Sequence, residues 1–63
     1  MFIFEYVIKF PCEVYYTNDT RNEYTKNMNE AYKYTAQGAA CKIERMRNAG
    51  FLGWNNATIE RVS

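Results

Sequence analysis

Between Asn27 and Gly50 the chain carries a helix whose two ends are both signalled, and Phe51-Leu52-Gly53-Trp54 follows directly after the stop. A loop with that much apolar surface must either close the protein's own core or meet a partner. Asn27-Met28-Asn29-Glu30 has the form of a capping box, with Asn27 as the N-cap. Helical spacing then sets Met28, Ala31 or Tyr32, Thr35, Ala39, Ile43 and Met46 along one side. The Tyr34-Thr35 pair and Gly38 interrupt this stripe, and glycine inside a helix costs ~1 kcal/mol. The pattern predicts a short helical segment to about Tyr34, a break, and a main helix from about Ala36 to Ala49 with Thr35 as its cap. Gly50 suits the residue that ends a helix. Lys42, Arg45 and Arg47 lie in the C-terminal half, where the helix dipole favours cations.

The remaining segments read as strands. From Phe2 to Phe10 the even positions are all apolar or aromatic, while Ile3, Glu5, Val7 and Lys9 alternate between them. Period two gives the first set a buried face and the second a half-exposed one. Pro11 ends the run. Glu13 to Thr17 is a second strand, Asn18 to Asn22 a polar turn, and Glu23 to Lys26 a short third strand, so Val14 to Thr25 reads as a hairpin. Asn55-Asn56 marks another turn, and Ala57 to Val62 is the last strand. The helix can bury its stripe only against the sheet. The expectation is a two-layer α+β domain of order β-β-β-α-β, antiparallel-rich, with one main helix on one face. Phe4, Tyr6, Ile8, Ala40, Ile43 and Ile59 are its expected core.

The 63 residues form one domain, 1–63, of a size that buries only ~60% of the surface of its unfolded chain. Chains this small often gain stability from a disulfide, a metal or a second subunit. Cys12 and Cys41 do not make a disulfide framework, and no secretory leader is read before the first strand, so a cytoplasmic protein with reduced thiols is expected. No apolar run approaches the ~20 residues of a membrane span. The net charge is +1 with acids and bases well mixed, a poor footprint for nucleic acid. Aromatic residues make up 17% of the chain, which favours a folded domain over a disordered one.

Three phrases stand together in this sequence: Tyr6-Val7-Ile8-Lys9, Asn29-Glu30-Ala31-Tyr32-Lys33-Tyr34, and Ala57-Thr58-Ile59-Glu60-Arg61-Val62. In this the chain resembles a group of very small bacteriophage-encoded proteins. Those proteins open on a Val-Ile-Lys-type strand, pass through a hairpin, enter a helix through a Glu-Ala-aromatic segment and close on a short Ile/Val strand. The resemblance implies a host-takeover or anti-defence accessory protein; several anti-CRISPR proteins are small α+β domains of this kind. It carries over no functional residue, because the group shares no catalytic or binding motif. The Phe51-Leu52-Gly53-Trp54 insertion departs from the group's simplest pattern.

Chemistry finds little support in the residues. There is no histidine, the cysteines lack metal-ligand spacing, the glycines form no phosphate loop, and the seven carboxylates are dispersed. No enzyme, metal or cofactor is expected. Lys42 and Arg45 lie three apart on the helix with Arg47 close by, and Lys33 and Arg61 could extend a basic patch. With Tyr15, Tyr16 and Tyr24 as stacking surfaces, such a patch would make a small nucleic-acid-binding module. The leading expectation is instead a non-enzymatic protein that binds and inhibits a host bacterial protein. Its tools would be the loop with Phe51, Leu52 and Trp54 as anchors, the exposed side of the helix around Lys42, Arg45 and Arg47 as polar rim, and an open sheet edge. A homodimer is the third possibility.

Overall fold

A computed structural model describes residues 4–62. The predicted start of the first strand, at Phe2 and Ile3, lies outside the described residues. Strands β1 (Tyr6–Phe10), β2 (Val14–Tyr16) and β3 (Tyr24–Thr25) precede helix α1 (Ala36–Asn48), and β4 (Thr58–Arg61) follows it. The four strands form one antiparallel sheet of order β3-β2-β1-β4. The class is α+β, as predicted, and two 3-10 turns, Met28–Glu30 and Leu52–Asn56, stand within the predicted order of elements.

Each element has a local cause. Thr35 takes the N-cap of α1, its hydroxyl oxygen accepting the Gly38 N–H at 2.9 Å. At the other end Gly50 has φ 93°, a conformation that glycine adopts without penalty. The Phe51 N–H then donates to the Met46 carbonyl and the Gly50 N–H to that of Arg47, the paired bonds of a Schellman stop. The turn from β1 to β2 is tighter than sequence suggests: Cys12 and Glu13 both adopt positive φ, at 72° and 57°.

The predicted capping box does not form. Asn27 does cap a turn, accepting the Asn29 N–H, but that turn is a single 3-10 turn, Met28–Glu30. Glu30 bonds the Thr25 hydroxyl at 3.1 Å instead of reaching back to Asn27, whose N–H donates to Thr25. Ala31 and Thr35, at the two ends of the following stretch, are both extended. Tyr34 exchanges two backbone hydrogen bonds with Tyr6, and the Tyr32 N–H donates to the Tyr16 carbonyl. The Lys33 ammonium donates to the carbonyls of Met28, Asn29 and Ala31 and holds the corner. Sheet pairing thus takes the residues that helical spacing offered.

This rearrangement covers the second face of the sheet. On the helix side Ile8, Phe10, Ala39, Ile43, Trp54 and Ala57 form the main core. On the far side Val7, Tyr15 and Ala31 pack with Met28 and Val62. Val7, expected on a half-exposed face, is fully buried. Of the six residues expected in the core, Ile8 and Ile43 are there. Phe4 precedes β1 and is exposed, and Tyr6 is half-buried. Ala40 is exposed because the buried stripe of α1 runs through Ala39, Ile43 and Met46, one residue around the helix. Ile59 lies on the edge strand, where α1 only partly covers it.

Candidate functional site

The segment after α1 folds into a 3-10 turn, Leu52–Asn56, between the helix stop and β4. Trp54 anchors it. The indole is 4% exposed and meets Phe10 edge-on at 4.9 Å and Tyr16 at 5.0 Å between ring centroids. Arg47 clamps the same turn from the helix. Its Nε donates to the Trp54 carbonyl at 3.0 Å, and its Nη2 to the carbonyls of Asn55 and Ala57 at 3.2 and 3.3 Å. Ala57 donates its N–H to the Trp54 carbonyl, so the turn is tied at both ends.

These bonds fix the direction of the two residues ahead of the tryptophan. Leu52 is 77% and Phe51 54% exposed, on a backbone held by the Schellman stop on one side and the buried indole on the other. Gly53, next along, lines a shallow hollow of about 220 Å³ with Phe10, Pro11, Val14 and Tyr24. Tyr24 is itself 44% exposed and leans edge-on against Phe10. Tip and hollow meet at Gly53 in one uncharged surface at this end of the domain.

The structure divides the six residues that sequence grouped as a site. Phe51 and Leu52 remain on the surface. Trp54 is a core side chain, since the turn bends back and drives the indole between Phe10 and Tyr16. Arg47 is committed to three carbonyls. Lys42 and Arg47, five positions apart, flank the buried stripe on opposite sides, as ~100° per residue requires. Lys42 sits with its ammonium 5.5 Å from the Tyr16 ring centre, in cation–π contact. Arg45, in the last turn of α1, is exposed and alone of the three basic residues has no side-chain partner among the described residues. The three do not form one patch.

Pro11 is an addition that sequence reading missed, and Tyr24 was read there only as a stacking surface for nucleic acid. They lie 13 positions apart, on the β1–β2 turn and on β3, and only the hairpin brings them beside Gly53. The one available signal was the excess of tyrosine, which did not say which rings stay outside.

Burial pushes the Tyr34 hydroxyl up to about 12, with Tyr16 and Tyr32 adding to the effect. Tyr16 moves the same way, through burial first and then Glu23 and Tyr24. Lys9 is held above its ordinary value by its bond to Glu60, at 3.4 Å. Among the described residues no three of His, Cys, Asp or Glu are grouped to hold a metal ion, and no helix is long and apolar enough to cross a membrane. Comparison with protein-family models, curated proteins and solved structures gives no match for this chain.

Proposed function

We propose that this chain is a non-enzymatic binding domain that inhibits a bacterial host protein by direct contact, in the manner of the small phage accessory proteins it resembles. One observation carries the reading: Phe51 and Leu52 stand exposed on a turn that Trp54 and Arg47 hold rigid. Exposed apolar side chains on a mobile loop lose conformational entropy when they bind. Here most of the ordering is already complete in the free chain, so more of the contact appears as affinity. The partner's surface has an apolar cleft for Leu52 and Phe51, and an aliphatic or aromatic knob that fills the hollow between Pro11 and Tyr24. Arg45, exposed on the last turn of α1, meets acidic residues at the rim and acts mainly on the association rate.

The test is site-specific photocrosslinking. A photoreactive leucine analogue at position 52, in the chain expressed in bacteria, should trap one host protein, and that protein's activity should fall when the purified chain is added. The pair Phe51→Ser and Leu52→Ser should abolish both effects while leaving the melting curve unchanged. Undiminished inhibition by the double variant would refute the reading. So would a salt-sensitive nucleic-acid complex that Lys42→Ala and Arg45→Ala together destroy.

A further inference from the structure

Gly53 lies where the exposed tip meets the hollow beside it. Unlike Gly50 it has no left-handed φ, and a Cβ built on it would meet nothing within 4 Å. Neither the backbone of the turn nor its packing calls for glycine here, although glycine loses more conformational freedom on folding than any other residue. Its missing side chain leaves the hollow open and lets a second backbone come close. That requirement is set from outside, by whatever is seated on this face.

The hollow limits its occupant in size and in character. It has about 220 Å³, and none of the five residues that line it is charged. A dry cavity of ~150 Å³ with apolar walls takes a benzene molecule, so this hollow takes one leucine or phenylalanine side chain. The chain itself presents such a side chain next door. Leu52 adjoins Gly53, is largely exposed, and stands on the turn that Arg47 holds through three carbonyls. A knob and a hollow that fits it thus lie side by side on one face.

We propose that this face seats a second copy of the chain about a two-fold axis beside Gly53, with Leu52 of each copy in the hollow of the other. The inference rests on the reading of tip and hollow as a contact surface, and it names an occupant for that surface. The partner described above needs an apolar cleft for Leu52 and an aliphatic knob for the hollow, and a second copy of this face supplies both. A two-fold axis sets a face against itself, so a projection beside a matching depression becomes complementary under that operation.

Charge favours the same occupant. An isologous contact brings each charge near the axis towards its own copy, which repels. No charged residue stands between Phe51 and Asn56, and none lines the hollow. At the axis the two Gly53 backbones meet with no side chain between them. Phe51 and Tyr24, both exposed, supply the remaining apolar area. So few side chains bury less than the ~1,200 Å² at which stable interfaces begin, and the pair is weak. It forms above the concentrations of a thermal melt. Self-pairing then covers the apolar tip of the free chain and yields it to a host protein that competes for Leu52.

Sedimentation equilibrium of the full chain from micromolar to millimolar concentration, with backbone NMR over the same range, tests this. The mass should rise towards twice the 7.5 kDa of one chain. The amide shifts of Val14, Tyr24, Leu52 and Gly53 should move with concentration, while those of β4 stay still. Gly53→Glu sets a charge at the axis, and the open space around its Cβ lets the variant fold. It should weaken association at least about tenfold with an unchanged circular dichroism melt, because the contact would bury two unpaired carboxylates. A chain that stays monomeric at millimolar concentration overturns the proposal. So does a dimer that the folded Gly53→Glu variant retains, or one whose shifts move at β4 instead of the tip. The same experiments separate the two readings of this face. A monomer that still photocrosslinks one host protein from position 52 gives the hollow to that protein and overturns the dimer alone. A dimer that Gly53→Glu splits, with no host protein trapped at position 52, upholds the dimer and refutes the inhibitor.

Discussion

Replacing Arg47 by methionine isolates the clamp on the turn after the helix. The side chain keeps its length and helix propensity but loses three donated hydrogen bonds. The Trp54 carbonyl still receives the Ala57 N–H, and the Asn55 carbonyl is open to water. The Ala57 carbonyl, on a buried residue, is the group left short. A hydrogen bond from a charged group contributes ~1.5–3 kcal/mol when well buried. Two of the three bonds share one nitrogen and Arg47 itself is largely exposed, so the whole clamp contributes ~1–2 kcal/mol. For a domain of this size that lowers the melting temperature by roughly 4–15 °C. Arg47 also favours the helix C-terminus by its charge, and Arg45→Met supplies the control. Arg45 lies in the same last turn and has no side-chain hydrogen bond to the turn, so its removal costs only the dipole contribution, ~0.3–1 kcal/mol. Paired thermal melts followed by circular dichroism, with amide exchange at Trp54 and Ala57, measure the difference. Equal melting temperatures for the two variants, with unchanged exchange, would refute the clamp and return Arg47 to the surface.

Trp54→Ala should behave as a core deletion, costing ~3–5 kcal/mol and leaving this small domain largely unfolded, whereas Leu52→Ser should melt like the parent chain; urea titration compares them. Tyr34 should make stability fall as pH rises. Its folded value of about 12 lies above the ordinary 10.0, so its contribution is present below pH 10 and is lost between there and its folded value. The fall in melting temperature over that window should be smaller in Tyr34→Phe. Alkylation of the native chain without reductant should modify two thiols, since Cys12 and Cys41 are both exposed and free; a mass showing one or none would refute this.

Signals confined to a few neighbouring residues were legible in the sequence. Thr35 as a cap, Gly50 as a stop and Pro11 as the end of β1 each depend on a local backbone constraint, and each stands where it was read. The failure came between Ala31 and Thr35. Helical spacing and the Asn27-Glu30 pair favoured a further turn of helix, but Tyr6 offered Tyr34 two sheet hydrogen bonds on the edge that β2 leaves free. Local preference is worth tenths of a kcal/mol per residue, and tertiary pairing readily exceeds it. The same segment covers Val7, so one misread piece also misassigned a face of the sheet.

The candidate site was half legible for a related reason. Sequence placed an apolar tetrapeptide beyond a helix stop and left its direction open. The direction depends on Arg47, whose reach across to the Trp54, Asn55 and Ala57 carbonyls turns the chain back over the sheet. That fold-back gives the indole a slot between Phe10 and Tyr16, and with Trp54 inside, Leu52 two positions earlier stays in solvent. The tryptophan and the exposed pair are therefore opposite ends of one device. A charge read as a contact for a partner is spent within the chain, and it holds outward the side chains that a partner would meet.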